Sequence, residues 1–222
     1  MKICIGVQAR LSSKRFPGKV LKKIGKKTLV DFLIERLRKT ILYEHIFLLT
    51  SKNKSDNLLE HHCKKQNINC FRGNLINVYD RYRVFLEQYG YDAVVRISAD
   101  SPLMDFELIN DMIKLFKTRK MDILTNVFPR SFPRGQSVEI ISSNIIKTLS
   151  STKLRRDEKE HVTKYFYKNY SKYKIVNIKC PYKHSEEKLS IDTINDFQKL
   201  RNFLNFKGND KDFKISDILS YW

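Results

Sequence analysis

The feature that most constrains this chain is the alternation of short apolar runs with helical spacings through its first 125 residues. Ile3-Cys4-Ile5-Gly6-Val7 is the kind of uninterrupted apolar run expected of a fully buried parallel strand. A polar loop follows, then Thr28 precedes Leu29, Phe32, Leu33, Ile34 and Leu37, an amphipathic helical spacing with an N-cap. The rhythm continues with a strand at His45–Thr50, a helix from Ser55 through His62, and a strand at Asn69–Phe71. A helix at Val78–Tyr89, a strand at Asp92–Ile97, a helix at Asp105–Phe116 and a strand at Asp122–Thr125 complete it. Parallel neighbours need crossover connections, so this order predicts an α/β fold: a mostly parallel sheet with helices on both faces. Ligands of such sheets sit at the carboxyl ends of strands, near the switch in strand order. That rule singles out the segments after Val7, Phe71 and Ile97.

After residue 126 the rhythm breaks in an irregular stretch containing Phe128-Pro129 and Phe132-Pro133-Arg134-Gly135. A strand is expected at Ser137–Ile141, then a Lys-rich helical region to about Tyr170. Short strands are expected at Lys174–Ile178 and Leu189–Ile191, and an amphipathic helix at Thr193–Phe203. With neither an internal repeat nor a linker, residues 1–222 read as one domain.

Composition narrows the function classes. The formal net charge is +19, yet 41% of residues are hydrophobic and 12% aromatic, which excludes a disordered basic tail. No apolar run approaches the roughly 18 residues of a membrane span, and Arg10 comes too early for a signal peptide, so a cytoplasmic protein without membrane insertion is expected. Cys4, Cys63, Cys70 and Cys180 form no CxxC pair and read as reduced, structural thiols. The basic excess could attract nucleic acid, an anionic surface or polyphosphates. However, 29 of the 43 cations are lysines scattered along the chain, a compositional bias, so the arginines carry more information.

The loop Ala9-Arg10-Leu11-Ser12-Ser13-Lys14-Arg15-Phe16-Pro17-Gly18-Lys19 is the densest signal. It places four cations (Arg10, Lys14, Arg15 and Lys19), two hydroxyls and a glycine at a strand's carboxyl end. Arginine's planar fork suits phosphate oxygens, lysine adds a compact charge, and loop N–H groups can add an anion-binding concavity. Asp100 directly follows the strand ending at Ile97-Ser98, and Asp192 follows Leu189-Ser190-Ile191. Mg²⁺ takes one or two carboxylates plus phosphates and water, so the two aspartates could form a metal pair. Each could equally be a helix cap.

Together these segments resemble a known family. Ala9, Arg10, Ser13, Arg15, Pro17, Gly18 and Lys19 match A-R-x-x-S-x-R-x-P-G-K, a signature of the CMP-sugar-forming cytidylyltransferases of the 3-deoxy-manno-octulosonate and acylneuraminate type. The resemblance is nearest to the spore-coat polysaccharide branch. It extends in order through Phe71-Arg72-Gly73, Val78–Tyr82, Arg96–Leu103, Glu160–Thr163 and Leu189–Thr193, leaving residues 206–222 outside it. It implies a three-layer nucleotide-diphospho-sugar-transferase-like fold and a Mg²⁺-dependent transfer of CMP from CTP to a small anionic acceptor. It further implies that Arg10, Arg15 and Lys19 hold the triphosphate. Gln8, Ala9, Ser13, Arg72 and Gly73 would frame the nucleoside, and Asp100 and Asp192 would bind Mg²⁺. Relatives are commonly homodimers. The branch carries Gly-x-Asp-x-Glu where this chain reads Gly135-Gln136-Ser137-Val138-Glu139, so Ser137 replaces a carboxylate in the acceptor region. Arg134, Glu139 and His161 are the acceptor-side candidates, and with no Asp or Glu between Asp122 and Glu139 the acceptor pocket should be net positive.

Two other classes compete. A sugar-nucleotide-dependent glycosyltransferase typically presents Asp-x-Asp after the central strand, whereas Ser98-Ala99-Asp100 supplies one carboxylate. A basic nucleic-acid-binding protein is favoured by net charge alone, and the chain shows no zinc spacing, RRM-like aromatics or single cationic helix.

Overall fold

The computed structural model describes residues 1–181, 186–208 and 213–222. Its first half follows the expected alternation: β1 (Ile3–Gln8), the hairpin β2 (Lys23–Ile24) and β3 (Lys27–Thr28), α1 (Leu29–Leu37), β4 (Ile46–Ser51), α2 (Asn57–Lys65), β5 (Asn69–Gly73), α3 (Val78–Tyr89), β6 (Ala93–Ser98), α4 (Phe106–Thr118) and β7 (Ile123–Thr125). The second half adds β8 (Glu139–Ser142), α5 (Ser143–Thr148), α6 (Arg156–Glu160), α7 (Lys164–Lys168), β9 (Ile175–Asn177), α8 (Ile194–Lys207) and α9 (Ile215–Tyr221). Among the described residues, no helix is long and apolar enough to cross a membrane.

The strands form a seven-stranded sheet in the order β5-β4-β1-β6-β8-β7-β9. β5, β4, β1 and β6 run parallel, whereas β8 is antiparallel to both β6 and β7. The chain moves from β1 outward through β4 to β5, then crosses back to place β6 on the other side of β1. The switch point therefore opens at the carboxyl ends of β1 and β6, where the cationic loop and Asp100 lie.

Alternation along β1 builds the layers. Ile3, Ile5 and Val7 face the cluster formed with Leu33, Leu37, Ile109 and Met112 of α1 and α4. Cys4 faces the opposite cluster, with Tyr79, Tyr82 and Phe85 of α3. Gly6 is required by the approach of that second layer: a Cβ there would lie 3.0 Å from Tyr82, whose hydroxyl donates to the Gly6 carbonyl at 3.1 Å. A third cluster joins Phe16 and Leu29 to Leu189, Ile191, Leu200 and Phe203, and takes in Phe213 and Ile218 near the chain's end.

Three expectations need correction. Leu189–Ile191 is buried in alternation like a strand but joins no sheet: the Leu189 amide donates to Arg134 O (2.7 Å) and the Ile191 amide to Asp100 O (2.8 Å). The segment thus stitches two loops together instead of extending a ladder. β8 begins at Glu139 and not at Ser137, because the Val138 amide donates to the Asn126 side chain (2.9 Å) in place of a strand neighbour. The Lys-rich region is not one helix: Leu149 adopts extended backbone and Ser150 caps a separate 3-10 turn, leaving α5, α6 and α7 as short pieces.

Candidate active site

The cationic loop is held from below so that its side chains face outward. The Ala9 amide continues the ladder to Leu49 O at 3.1 Å, and the Leu11 amide donates to Asp56 at 2.8 Å. Asp56 is fully buried and also accepts from the Ser51 hydroxyl. The Gly18 amide closes the loop on Leu11 O (3.0 Å) with φ +67°, a left-handed conformation that favours glycine. Phe16 roots the loop in the third core cluster by an edge contact with Phe197. Arg10, Lys14 and Arg15 are left exposed.

Lys19 points inward, with only 8% of its surface exposed. Its ammonium donates to Asp100 Oδ2 (2.8 Å), Asp192 Oδ1 (3.1 Å) and the Ile191 carbonyl (2.7 Å). Arg15 also pairs with Asp192 at 2.9 Å. Burial pushes the Asp192 carboxyl up, but the hydrogen bond and charge of Lys19, with Arg15 and Lys188, outweigh it and hold the group below the usual carboxylate range. The helix-cap alternatives fail for both aspartates. Asp105 caps α4 by accepting from Glu107 and Leu108, and Thr193 caps α8 in a reciprocal box with Asp196. Two carboxylates brought to one ammonium suit an ion that takes its remaining ligands from phosphates and water. Among the described residues no group of three or more His, Cys, Asp or Glu converges.

These residues line a cleft of about 820 Å³ together with Gln8, Ala9, Ser13, Arg96, Glu160 and His161. Its lining carries seven Lys or Arg side chains against three carboxylates, a balance that favours a polyanion. Arg10 pairs across the opening with Glu160 at 3.1 Å. Sequence reasoning missed Arg81, which is 1% exposed on the inner face of α3. Among the described residues its guanidinium donates to carbonyls, those of Asn74 (2.6 Å), Leu49 (3.2 Å) and Leu75 (3.3 Å). The available signal was Gly73: a Cβ there would lie 2.6 Å from Arg81 Cγ. Arg72 and Gly73 lie outside the cleft lining and face a separate depression. The Arg72 guanidinium is taken up by the Ser51 and Asn53 carbonyls, Asn57 and Glu60.

A smaller pocket of about 330 Å³ adjoins the cleft and shares Arg96 and His161 with it. Antiparallel register puts Arg96 opposite Glu139, and the half-buried guanidinium pairs with the buried carboxylate. Glu139 also accepts from Thr163 (2.7 Å) and Tyr167 (2.6 Å), and Arg96 donates to Gln8 at 3.1 Å. Burial, then the Glu139 charge, push the Tyr167 phenol well above its ordinary pKa, so it stays protonated as a donor. Glu139 is thus the pocket's buried pillar. Arg130 lines the pocket and donates to the Ser137 hydroxyl at 3.1 Å, and no carboxylate of the described residues lies within ion-pair reach of it. Arg134 is exposed and outside the lining. Its backbone is bound instead to the segment before Asp192, through Glu187 O (3.0 Å) and the Leu189 amide. Gly135 makes that approach possible: at φ +99°, a Cβ would lie 2.6 Å from the Leu189 and Ser190 backbone.

Comparison with known proteins bears on this arrangement. The cytidylyltransferase family model matches residues 3–216. The chain is 28% identical over 221 residues to the spore coat polysaccharide biosynthesis protein SpsF of Bacillus subtilis, covering 96% of this chain and 91% of the relative. It is 28% identical over 166 residues to a 3-deoxy-manno-octulosonate cytidylyltransferase of Bdellovibrio bacteriovorus, covering 74% and 63% of the two chains. A solved cytidylyltransferase from Leptospira borgpetersenii superposes with a TM-score of 0.94 at 32% identity, covering 99% of this chain and 93% of that one.

Proposed function

The chain belongs to the cytidylyltransferase family, and from that premise we propose that it transfers CMP from CTP to an anionic acceptor, a sugar acid or a related carboxylated or phosphorylated compound, for surface-polysaccharide assembly. The acceptor oxygen would attack the α-phosphorus, the α–β phosphoanhydride bond would break, and pyrophosphate would leave. The observation that carries this reading is the convergence of Lys19, Asp100 and Asp192 at the floor of a cation-rich cleft.

Arg10 and Arg15 stand where they can hold triphosphate oxygens, with Lys19 beneath them. The Gln8, Ala9 and Ser13 side of the cleft would take the nucleoside. Asp100 and Asp192 would hold Mg²⁺, which when bound neutralises charge on the reacting phosphates. Arg72, tied to its own loop, would brace the wall beside the nucleoside and not touch the base. The acceptor would enter from the smaller pocket, so that its attacking oxygen meets the phosphate near Arg96 and His161, the residues common to both spaces. Transfer of this kind depends on positioning and electrostatics more than on covalent help. Arg130 is the cation in that pocket with no described carboxylate partner, which supports an anionic acceptor. An enzyme that draws on CTP would work in the cytoplasm.

Pyrophosphate release with CTP and Mg²⁺, screened over sugar acids, sugar phosphates and neutral sugars, tests this reading. A sugar acid or phosphorylated acceptor should give the fastest release. A neutral sugar as the best substrate, or no CTP binding at all, would refute it.

A further inference from the structure

We propose that Lys19 is an internal occupant of the metal locus, holding Asp100 and Asp192 until a triphosphate draws it away, so that divalent ion and nucleotide bind as a coupled pair. The proposal rests on the cytidylyltransferase reading and concerns how that same site is controlled.

The ammonium has three N–H donors, and each has an acceptor: Asp100 at 2.8 Å, Asp192 at 3.1 Å and the Ile191 carbonyl at 2.7 Å. A magnesium ion would need carboxylate oxygens at roughly 2.0–2.1 Å. It cannot share the two carboxylates with a positive nitrogen already seated between them. The Lys19 side chain is 10% exposed, so leaving without a new partner would strand a charge in a poorly solvated place. A triphosphate in the cleft is such a partner. Arg15 (2.9 Å) and Lys188 (3.5 Å) also reach Asp192 and reinforce the exclusion of a second cation. Metal alone therefore meets a closed site, whereas nucleotide frees the carboxylates. By linkage, the metal must then strengthen nucleotide binding by the same factor.

The test is Mn²⁺ binding to the nucleotide-free full chain, followed by electron paramagnetic resonance of the free ion. Wild type should bind weakly, Lys19→Gln about tenfold more tightly (about 1.4 kcal/mol), and Lys19→Arg like wild type. Adding Asp192→Asn to Lys19→Gln should erase the gain. Equal or weaker Mn²⁺ binding by Lys19→Gln overturns the proposal. If that variant does not fold, acetic anhydride labelling of wild type read by mass spectrometry decides. Lys19 should be protected with or without millimolar Mn²⁺, and exposure of Lys19 by Mn²⁺ alone overturns the idea. Calorimetry of Mg²⁺–CTP with wild type separates the two failures. No CTP binding refutes the cytidylyltransferase reading. CTP binding without a gain in Lys19→Gln refutes only the role given to Lys19.

Discussion

The large cleft and the small pocket beside it are built in opposite ways. The cleft lies on the parallel half of the sheet, and much of its chemistry comes from one continuous loop, residues 8–19, spread over an open space of about 820 Å³. Arg10, Lys14, Arg15 and Arg156 are exposed, and Arg10, Arg15 and Lys19 are paired with carboxylates that a ligand could replace. The pocket lies where β8 runs antiparallel, and its wall is the Arg96–Glu139 ion pair, whose buried carboxylate is fixed by register and by the hydroxyls of Thr163 and Tyr167. The lesson is that the cleft carries exchangeable charge, suited to a ligand that must come and go, whereas the pocket carries charge locked by the fold.

The largest effect should come from the cleft floor. Asp100→Asn or Asp192→Asn should lower kcat/KM on the order of 10³-fold, about 4 kcal/mol, with thermal stability little changed. Wild-type turnover and metal dependence in Asp192→Asn would leave that residue only a counter-ion for Lys19. On the pocket side, Glu139→Ala should instead cost folding stability, about 3–5 kcal/mol in urea titration, because it removes the buried carboxylate that Arg96, Thr163 and Tyr167 all bond. A loss below about 1 kcal/mol would erase the distinction between exchangeable and locked charge. Arg10→Ala and Arg15→Ala should each weaken CTP binding by about 1.5–3 kcal/mol in calorimetry, without altering the acceptor KM. Unchanged CTP affinity in both would break the assignment of the loop. The smallest effect belongs to Ser137→Asp. A carboxylate there would pair with Arg130 and raise the acceptor KM by about 1 kcal/mol, a few-fold, leaving the KM for CTP in place. A fall in acceptor KM would show that Arg130 does not meet an anion.

The same contrast explains what could be read from the chain. The helix at Val78–Tyr89 has the bounds its periodicity implies, and the loop of residues 9–19 with Asp100 falls at the switch point, because local pattern and sheet topology determine both. The acceptor side depends on contacts distant in sequence. Arg134 is a candidate by sequence, yet it is exposed and outside the pocket lining, its backbone bound to Glu187 and Leu189, and Arg130 lines the pocket in its place. The Glu139–Arg96 pair is a matter of register across 43 positions, which no periodicity displays. Arg81 was hidden for a different reason: a buried arginine on a helix face looks like an exposed one until the carbonyls that receive it are known. Leu189–Ile191 misled because alternate burial also arises where a segment is clasped between two loops.

Gly135 has a consequence for how such a protein can diversify. Any side chain at that position would collide with the Leu189–Ser190 backbone, 2.6 Å from where its Cβ would stand. The same clasp carries Asp192 a few residues on, so lengthening or shortening either segment of it would displace a residue on the cleft floor. An insertion here would therefore disturb the cleft floor as well as the loop that received it. Exchange of single side chains that project from the clasp remains open, and a serine at 137 is the kind of change that such a route leaves behind.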